Sequence, residues 1–144
     1  MTIPAIDVRV ILRSSVASAY DDLVTRRTGA AVRDGIERVL ADTPRDQPAI
    51  IDFSAVRCLD LSCADEIVAK LLLNHGARRF ILRGLSESQR DALEPVLSHQ
   101  HLAVVVEHSS GQLDFLGVPG DSAAAVLEEL RWFVGGDGSQ PQLA

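Results

Sequence analysis

The chain has 144 residues, enough for one domain with a single hydrophobic core. Its 20 acidic residues outnumber its 14 basic residues, for a formal net charge of -6. Nucleic acid and anionic membrane surfaces attract clustered cations, so this charge argues against both as partners. No apolar run approaches the roughly 20 residues of a membrane-spanning helix.

The two cysteines, Cys58 and Cys63, fit neither a CxxC motif nor another metal-pair spacing. The N-terminus shows no signal-peptide pattern. We therefore expect reduced thiols in a cytoplasmic protein, and we expect both side chains to be used for packing.

Strand and helix patterns alternate along the first half of the chain. Alternating apolar residues predict a half-buried strand over residues 6–12. Helical spacing predicts a helix over residues 28–41, with Val32, Ile36, Val39 and Leu40 on its apolar side. The apolar run 49–53 is typical of a central strand, although it contains Asp52.

A helix is predicted from Cys63 to Gly76, because apolar residues recur there at helical spacing. Its polar residues Asp65, Glu66 and Lys70 are placed on the outer side.

The second half of the chain continues the alternation. The remaining predicted elements are a strand at 80–82, a helix at 86–97 interrupted near Pro95, a strand at 102–106, a short strand within 112–118 and a last helix ending near Val134. Residues 135–144 are predicted to be a disordered tail. Together the patterns predict one α/β domain over residues 1–134, with a mixed sheet of about 4–6 strands and about four covering helices. Its edge strands are expected to be antiparallel.

Motifs for catalysis are lacking in the sequence. There is no phosphate-binding GxxxxGK[ST] or GxGxxG and no HExxH zinc motif, so we predict no cofactor and no metal. His99 and His101 are interpreted as solvated loop histidines. An alternative is a magnesium-dependent enzyme built on Asp52 and Asp60, or a phosphate-accepting receiver domain. The first strand lacks the acidic pair of a receiver, so Asp52 is interpreted as a buried or loop-bonding carboxylate, and we expect no enzymatic activity.

Ser62 precedes the predicted helix, and Asp65 follows three residues later. This is the [ST]-x-x-[DE] pattern of a capping box, in which the serine hydroxyl accepts a backbone N–H. Such a cap contributes about 1 kcal/mol, so it explains the serine without any further role.

The segment IIDFSAV at residues 50–56, followed by LDLS at 59–62, resembles the signature of STAS domains, the fold of anti-sigma-factor antagonists. In that family the second of two adjacent serines is phosphorylated by a partner kinase, and this position corresponds to Ser62. Asp60 corresponds to the family's aspartate. Leu61 stands in place of the first serine and Cys63 in place of a glycine.

The segment LVTRR at residues 23–27 and the pair Asp65-Glu66 resemble the bacterial "STAS-like" variant. The resemblance covers about residues 23 to 85. It implies a mixed sheet covered by helices and a non-catalytic regulatory role, switched by phosphorylation of Ser62. The implied partner is an anti-sigma factor or a related serine kinase.

On this hypothesis, a phosphate on Ser62 is repelled by the neighbouring carboxylates, so modification changes partner binding. Trp132 is predicted on the outer side of the last helix, where it either folds over a neighbouring loop or forms a partner or homodimer contact. The candidate partner-binding residues are Asp60, Leu61, Ser62, Cys63, Asp65, Glu66 and Trp132. A module that senses a small ligand or nucleotide through the same turn is the second hypothesis, and the metal-dependent enzyme is the third.

Overall fold

The computed structural model describes residues 3–16 and 21–134. Within these residues the strands are β1 (Ala5–Asp7), β2 (Asp22–Leu23), β3 (Ala49–Asp52), β4 (Cys58–Leu59), β5 (Phe80–Arg83), β6 (Ala103–Glu107) and β7 (Leu113–Gly117). The helices are α1 (Val8–Ser15), α2 (Arg26–Ala41), α3, α4 (Glu87–His99) and α5 (Ala123–Val134). Helix α3 is continuous from an α-helical turn at Leu61–Cys63 through a π-helix at Ala64–Ala69 to an α-helix at Lys70–Asn74.

The main sheet has five strands in the order β1-β3-β5-β6-β7. Strands β1, β3, β5 and β6 are parallel, and β7 is antiparallel to β6. The predicted α/β class and mixed sheet are confirmed. An antiparallel edge is correct for β7 and wrong for β1, because the chain returns from β1 to β3 through helices and so enters both strands from the same end.

Strands β2 and β4 form a separate two-stranded parallel sheet. Each strand leads directly into a helix, β2 into α2 and β4 into α3. This small sheet therefore holds the beginnings of two helices side by side.

The two faces of the main sheet are covered unequally. Helices α1 to α4 supply buried residues to a large core on one face, centred on side chains such as Val32, Ile51, Phe53 and Leu93. On the other face a small core contains Ile3, Ile50, Ile81, Val105, Leu113 and Leu130. Leu130 belongs to α5, and among the described residues α5 is the helix that covers this second face.

The predicted strand over residues 6–12 is wrong beyond Asp7. The chain turns there into α1, because the Asp7 carboxylate accepts hydrogen bonds from the N–H groups of Arg9 (2.9 Å) and Val10 (3.3 Å). Val8 and Leu12 are fully buried, and Val10 is 61% exposed. An alternating apolar segment also places apolar residues four apart, as at Val8 and Leu12, so the pattern fits either a strand or a helix. The cap formed by Asp7 stabilises the helix here.

Two further helix predictions need correction. Helix α4 continues through Pro95 to His99, and the exposed Pro95 lies within it. Its first turn is fixed by a capping box between Ser86 and Gln89. In α2, Val39 is 39% exposed and does not share the buried side with Val32 and Ile36.

Residues 135–144, predicted to be disordered, lie outside the described residues.

Candidate functional site

The first turns of α2 and α3 meet at a surface that we call the α2–α3 junction. It comprises Thr25, Arg26, Gly29, Arg33, Asp60, Leu61, Ser62, Cys63, Asp65, Glu66 and Lys70. Pairing of β2 with β4 places Leu23 beside Leu59, and the Asp60 N–H donates to the Leu23 carbonyl at 2.9 Å. The two helices therefore begin next to each other.

Gly29 allows the two helices to approach closely. A Cβ atom at this position would lie 2.8 Å from the Glu66 Cβ and 3.1 Å from the Cys63 Cα. Both distances are shorter than ordinary van der Waals contact, so a glycine is needed where α2 crosses α3.

Asp60 is the N-cap of α3. Its Oδ1 accepts the Cys63 N–H at 2.8 Å, and its Oδ2 accepts the Thr25 N–H at 2.9 Å. Burial pushes the pKa of Asp60 upward, but these two backbone donors, with Arg26 nearby, hold it below its usual value. The capping box predicted for Ser62 and Asp65 is therefore wrong: Asp60 occupies the cap, and Ser62 lies inside the first turn.

Thr25 caps α2 from an unusual backbone conformation. Its φ of 72° lies in the left-handed region, which a β-branched residue rarely adopts. The Thr25 Oγ1 accepts the Thr28 N–H at 3.3 Å. The bond from the Thr25 N–H to Asp60 thus helps to hold a strained residue in place, and one aspartate orders the starts of both helices.

Glu66 is buried against three cations, although the sequence placed it on the outer side of α3. Its side chain is 5% exposed and contacts Lys70 Nζ at 2.6 Å, Arg33 Nη1 at 2.7 Å and Arg26 Nη1 at 2.8 Å. Burial raises the pKa of Glu66, but the three cations outweigh it and lower the pKa to about 2. Apolar periodicity treats every carboxylate as outward-facing, so the sequence pattern could not reveal this one.

The π-helical segment of α3 carries both Asp65 and Glu66. Its bonds run from N–H to the fifth preceding carbonyl, as in the bond from Lys70 N–H to the Asp65 carbonyl. π-Helical turns are rare and occur frequently at functional sites. No feature of the sequence predicted this one.

Asp65 lies at the edge of the junction and is partly exposed. Its Oδ2 accepts a bond from Arg26 Nη1 at 2.7 Å, and its Oδ1 accepts one from Gln100 Nε2 at 2.8 Å. Burial acts to raise the pKa of Asp65, and Arg26 and Gln100 lower it below its usual value. Two of the three carboxylates near Ser62, Asp65 and Glu66, are thus paired with cations, and the third, Asp60, accepts two backbone N–H groups.

Leu61 and Ser62 form the outer surface of the junction. Leu61 is 56% exposed, and Ser62 is partly exposed. Among residues 3–16 and 21–134 the Ser62 hydroxyl has no hydrogen-bond partner. A hydroxyl that caps nothing is available to react or to contact another protein.

The two cysteines have different surroundings, and both are free thiols. Cys63 is fully buried, and its thiol donates to the Thr25 carbonyl at 3.0 Å. Burial, followed by the charge of Asp60, raises the pKa of Cys63 to about 12. The packing role predicted for Cys63 is confirmed, and the one predicted for Cys58 is wrong because this side chain is exposed.

Trp132 is not part of the junction. It is 38% exposed on α5, where it makes an edge-to-face contact with Phe133 at 4.5 Å between ring centroids. The buried side of α5 packs through Leu130 on the face of the sheet opposite α2 and α3. The outward position of Trp132 is confirmed, but the fold separates it from Ser62.

The other candidate residues do not assemble into a metal centre. The Asp52 Oδ1 accepts the Ser54 N–H at 2.8 Å, which confirms Asp52 as a loop-bonding carboxylate. His99 and His101 are exposed. The described residues contain no group of three His, Cys, Asp or Glu side chains placed to hold a metal ion.

Comparisons with protein-family models, with curated proteins and with solved structures give no match for this chain. Across residues 3–16 and 21–134, none of the helices is both long enough and apolar enough to cross a membrane.

Proposed function

We propose that this protein is a non-catalytic regulatory interaction module of the anti-sigma-antagonist type, which binds its partner through Leu61 and Ser62. The observation that carries the proposal is the partly exposed Ser62 hydroxyl, without a hydrogen-bond partner among the described residues, beside an exposed leucine. An apolar side chain can supply binding affinity, and phosphorylation of the hydroxyl beside it can control that binding.

Rigidity beneath this surface supports a docking role. Asp60 is held by two backbone N–H groups, and Glu66 by three cations. A surface that is already ordered loses little conformational entropy when a partner binds.

The resemblance to STAS domains supplies the regulatory step of the proposal. The Ser62 Oγ forms a bond to the γ-phosphorus of ATP, the bond from that phosphorus to the β,γ-bridging oxygen breaks, and ADP leaves. The hydroxyl proton passes to a base of the partner kinase. The product carries an added charge of roughly -1.5 to -2 beside Leu61, which disfavours an apolar contact there.

The partner in this proposal is an anti-sigma factor or a related serine kinase, and the setting is the cytoplasm, where the free thiols of Cys58 and Cys63 stay reduced. A second copy of the chain is an additional candidate partner through Trp132.

Intact-mass analysis tests the proposal. We expect one added phosphate when the protein is incubated with ATP and candidate anti-sigma kinases, and none with Ser62→Ala. Ser54→Ala is the matched control, because Ser54 is an exposed serine in the loop after β3. Phosphate on the Ser62→Ala variant, or no phosphate on the unmodified chain with any such kinase, contradicts the switch.

Partner binding is measured separately on the same proteins. We expect the kinase domain that phosphorylates Ser62 to bind the unmodified protein, and we expect Leu61→Asp to lose this binding by tenfold or more while keeping its circular dichroism spectrum. Equal binding by Leu61→Asp and the unmodified protein contradicts docking at this surface.

A further inference from the structure

Arg26 contacts α3, the helix that carries Ser62. Its Nη1 bonds to Asp65 at 2.7 Å and to Glu66 at 2.8 Å, and these residues follow Ser62 by three and four positions. The N–H of the preceding residue, Thr25, bonds to Asp60, two residues before Ser62. Arg26 and Thr25 therefore contact α3 at positions on both sides of Ser62 in the sequence.

The Arg26 side chain has unused hydrogen-bonding capacity. A guanidinium has five N–H donors on three nitrogens, and both bonds of Arg26 use Nη1 alone. Its Nε and Nη2 have no protein partner in the described part of the chain. The side chain is 55% exposed, so it can turn without disturbing the core.

The two carboxylates that Arg26 contacts keep other partners without it. Glu66 remains bound to Arg33 Nη1 at 2.7 Å and to Lys70 Nζ at 2.6 Å. Asp65 remains bound to Gln100 Nε2 at 2.8 Å. Arg26 is thus the most exposed of the three cations, and its departure leaves Asp65 and the buried Glu66 with other partners.

We propose that Arg26 is the receptor for a phosphate carried by Ser62. On modification its guanidinium turns away from Asp65 and donates two hydrogen bonds to phosphate oxygens, in the bidentate geometry that arginine forms with phosphate. A dianion attracts the guanidinium more strongly than one partly exposed carboxylate does. This inference rests on the proposed function, which supplies the phosphate at Ser62. The choice of Arg26 as the group that binds this phosphate rests on the structure.

The experiment places phosphoserine at position 62 by genetic encoding, so it needs no kinase. The second pKa of the phosphate, ordinarily about 6, is measured by phosphorus NMR titration. We expect it to be lowered in the otherwise unmodified chain, and to be higher by about half a unit or more in Arg26→Gln. Arg27→Gln is the matched control, because Arg27 is the next residue, is exposed and has no ion pair in the described part of the chain.

The proposal is overturned if Arg26→Gln leaves the phosphate pKa unchanged, or if Arg27→Gln raises it as much. Arg26→Lys keeps the positive charge but not the paired N–H donors of a guanidinium, so we expect it to give an intermediate phosphate pKa. This variant replaces Arg26→Gln in the test if Arg26→Gln does not fold. In the chain with Arg26 intact, the Nε–H resonance of Arg26 is expected to move as the phosphate titrates, and a stationary resonance also contradicts the proposal. Failure of the kinases to modify Ser62 would overturn the switch and leave this result standing.

Discussion

Asp60 and Ser62 lie two residues apart at the start of α3, and their roles in the structure differ. Asp60 accepts two backbone N–H groups, one from each of two helices, and Ser62 accepts none from the described residues. A sequence pattern finds a capping residue by its type and spacing, and both residues are good capping types. Which of them is used depends on where the helix begins: β4 ends at Leu59 and the helix starts at Leu61, so Asp60 is the cap.

Substitution of these two residues distinguishes the structural cap from the predicted one. We expect Asp60→Ala to lower the free energy of unfolding by about 1 to 2 kcal/mol, because two backbone donors lose their acceptor. Ser62→Ala is expected to change it by less than about 0.5 kcal/mol. Urea unfolding followed by circular dichroism measures both, and a larger loss for Ser62→Ala contradicts the assignment of the cap.

Glu66 is a buried carboxylate that pairs with three cations. We expect Glu66→Gln to lower the free energy of unfolding by about 3 kcal/mol, because Arg33, with 17% of its side chain exposed, loses its 2.7 Å carboxylate contact and keeps the longer one to Glu37 at 3.6 Å. Glu128→Gln is the control, since Glu128 pairs with Arg131 at the surface. There the expected change is below about 0.5 kcal/mol, and equal effects at the two sites contradict the role given to Glu66.

The same carboxylate predicts how stability depends on pH. The pKa of Glu66 is lowered from 4.5 to about 2 in the folded protein. Its contribution is therefore fully present above pH 4.5 and is lost as the pH falls toward 2. Denaturation at a series of pH values should give a steeper acid loss for the unmodified protein than for Glu66→Gln, and parallel curves contradict this reasoning.

At the scale of elements, the packing of α2 on α3 depends on Gly29. We expect Gly29→Ala to lower the free energy of unfolding by about 1 to 3 kcal/mol, although alanine favours a helix, because the new methyl group meets the Glu66 Cβ and the Cys63 Cα. Gly35→Ala is the matched comparison in the same helix. Its new methyl group would lie 2.5 Å from the Ile11 Cγ2, which is attached to a branched Cβ in α1 and moves little, so a similar loss is expected where α2 packs on α1. A stabilised Gly29→Ala contradicts the close approach.

Periodicity predicted most of the elements and missed those set by single side chains. The segments that became α2, α3, α4, β3, β5 and β6 were located from apolar runs or from apolar residues at helical spacing. Helix α1 was missed because Asp7 turns a short alternating segment into a helix. The π-helical turn was missed because it differs from an α-helix only in which carbonyl each backbone N–H bonds to, and no residue type specifies that choice.

At the scale of the whole molecule, α5 covers the second face of the main sheet. Leu130 is its fully buried residue and packs in one cluster with Ile50, Ile81 and Val105. We expect Leu130→Ala to lower the free energy of unfolding by about 2 to 4 kcal/mol and to increase binding of a hydrophobic dye. Val10→Ala is the control, since Val10 is largely exposed, and a comparable loss there would contradict the importance of α5.

Length, composition and apolar spacing were sufficient to determine an α/β domain with a mixed sheet, because most of its helices and strands have an apolar pattern in their own sequence. Those properties are local. The buried position of Glu66, the second bond of Asp60 and the separation of Trp132 from Ser62 depended on the tertiary structure alone. Each depends on residues far apart in the chain, such as Arg26 and Glu66, and the free energy of their contact exists only after the sheet has brought them together.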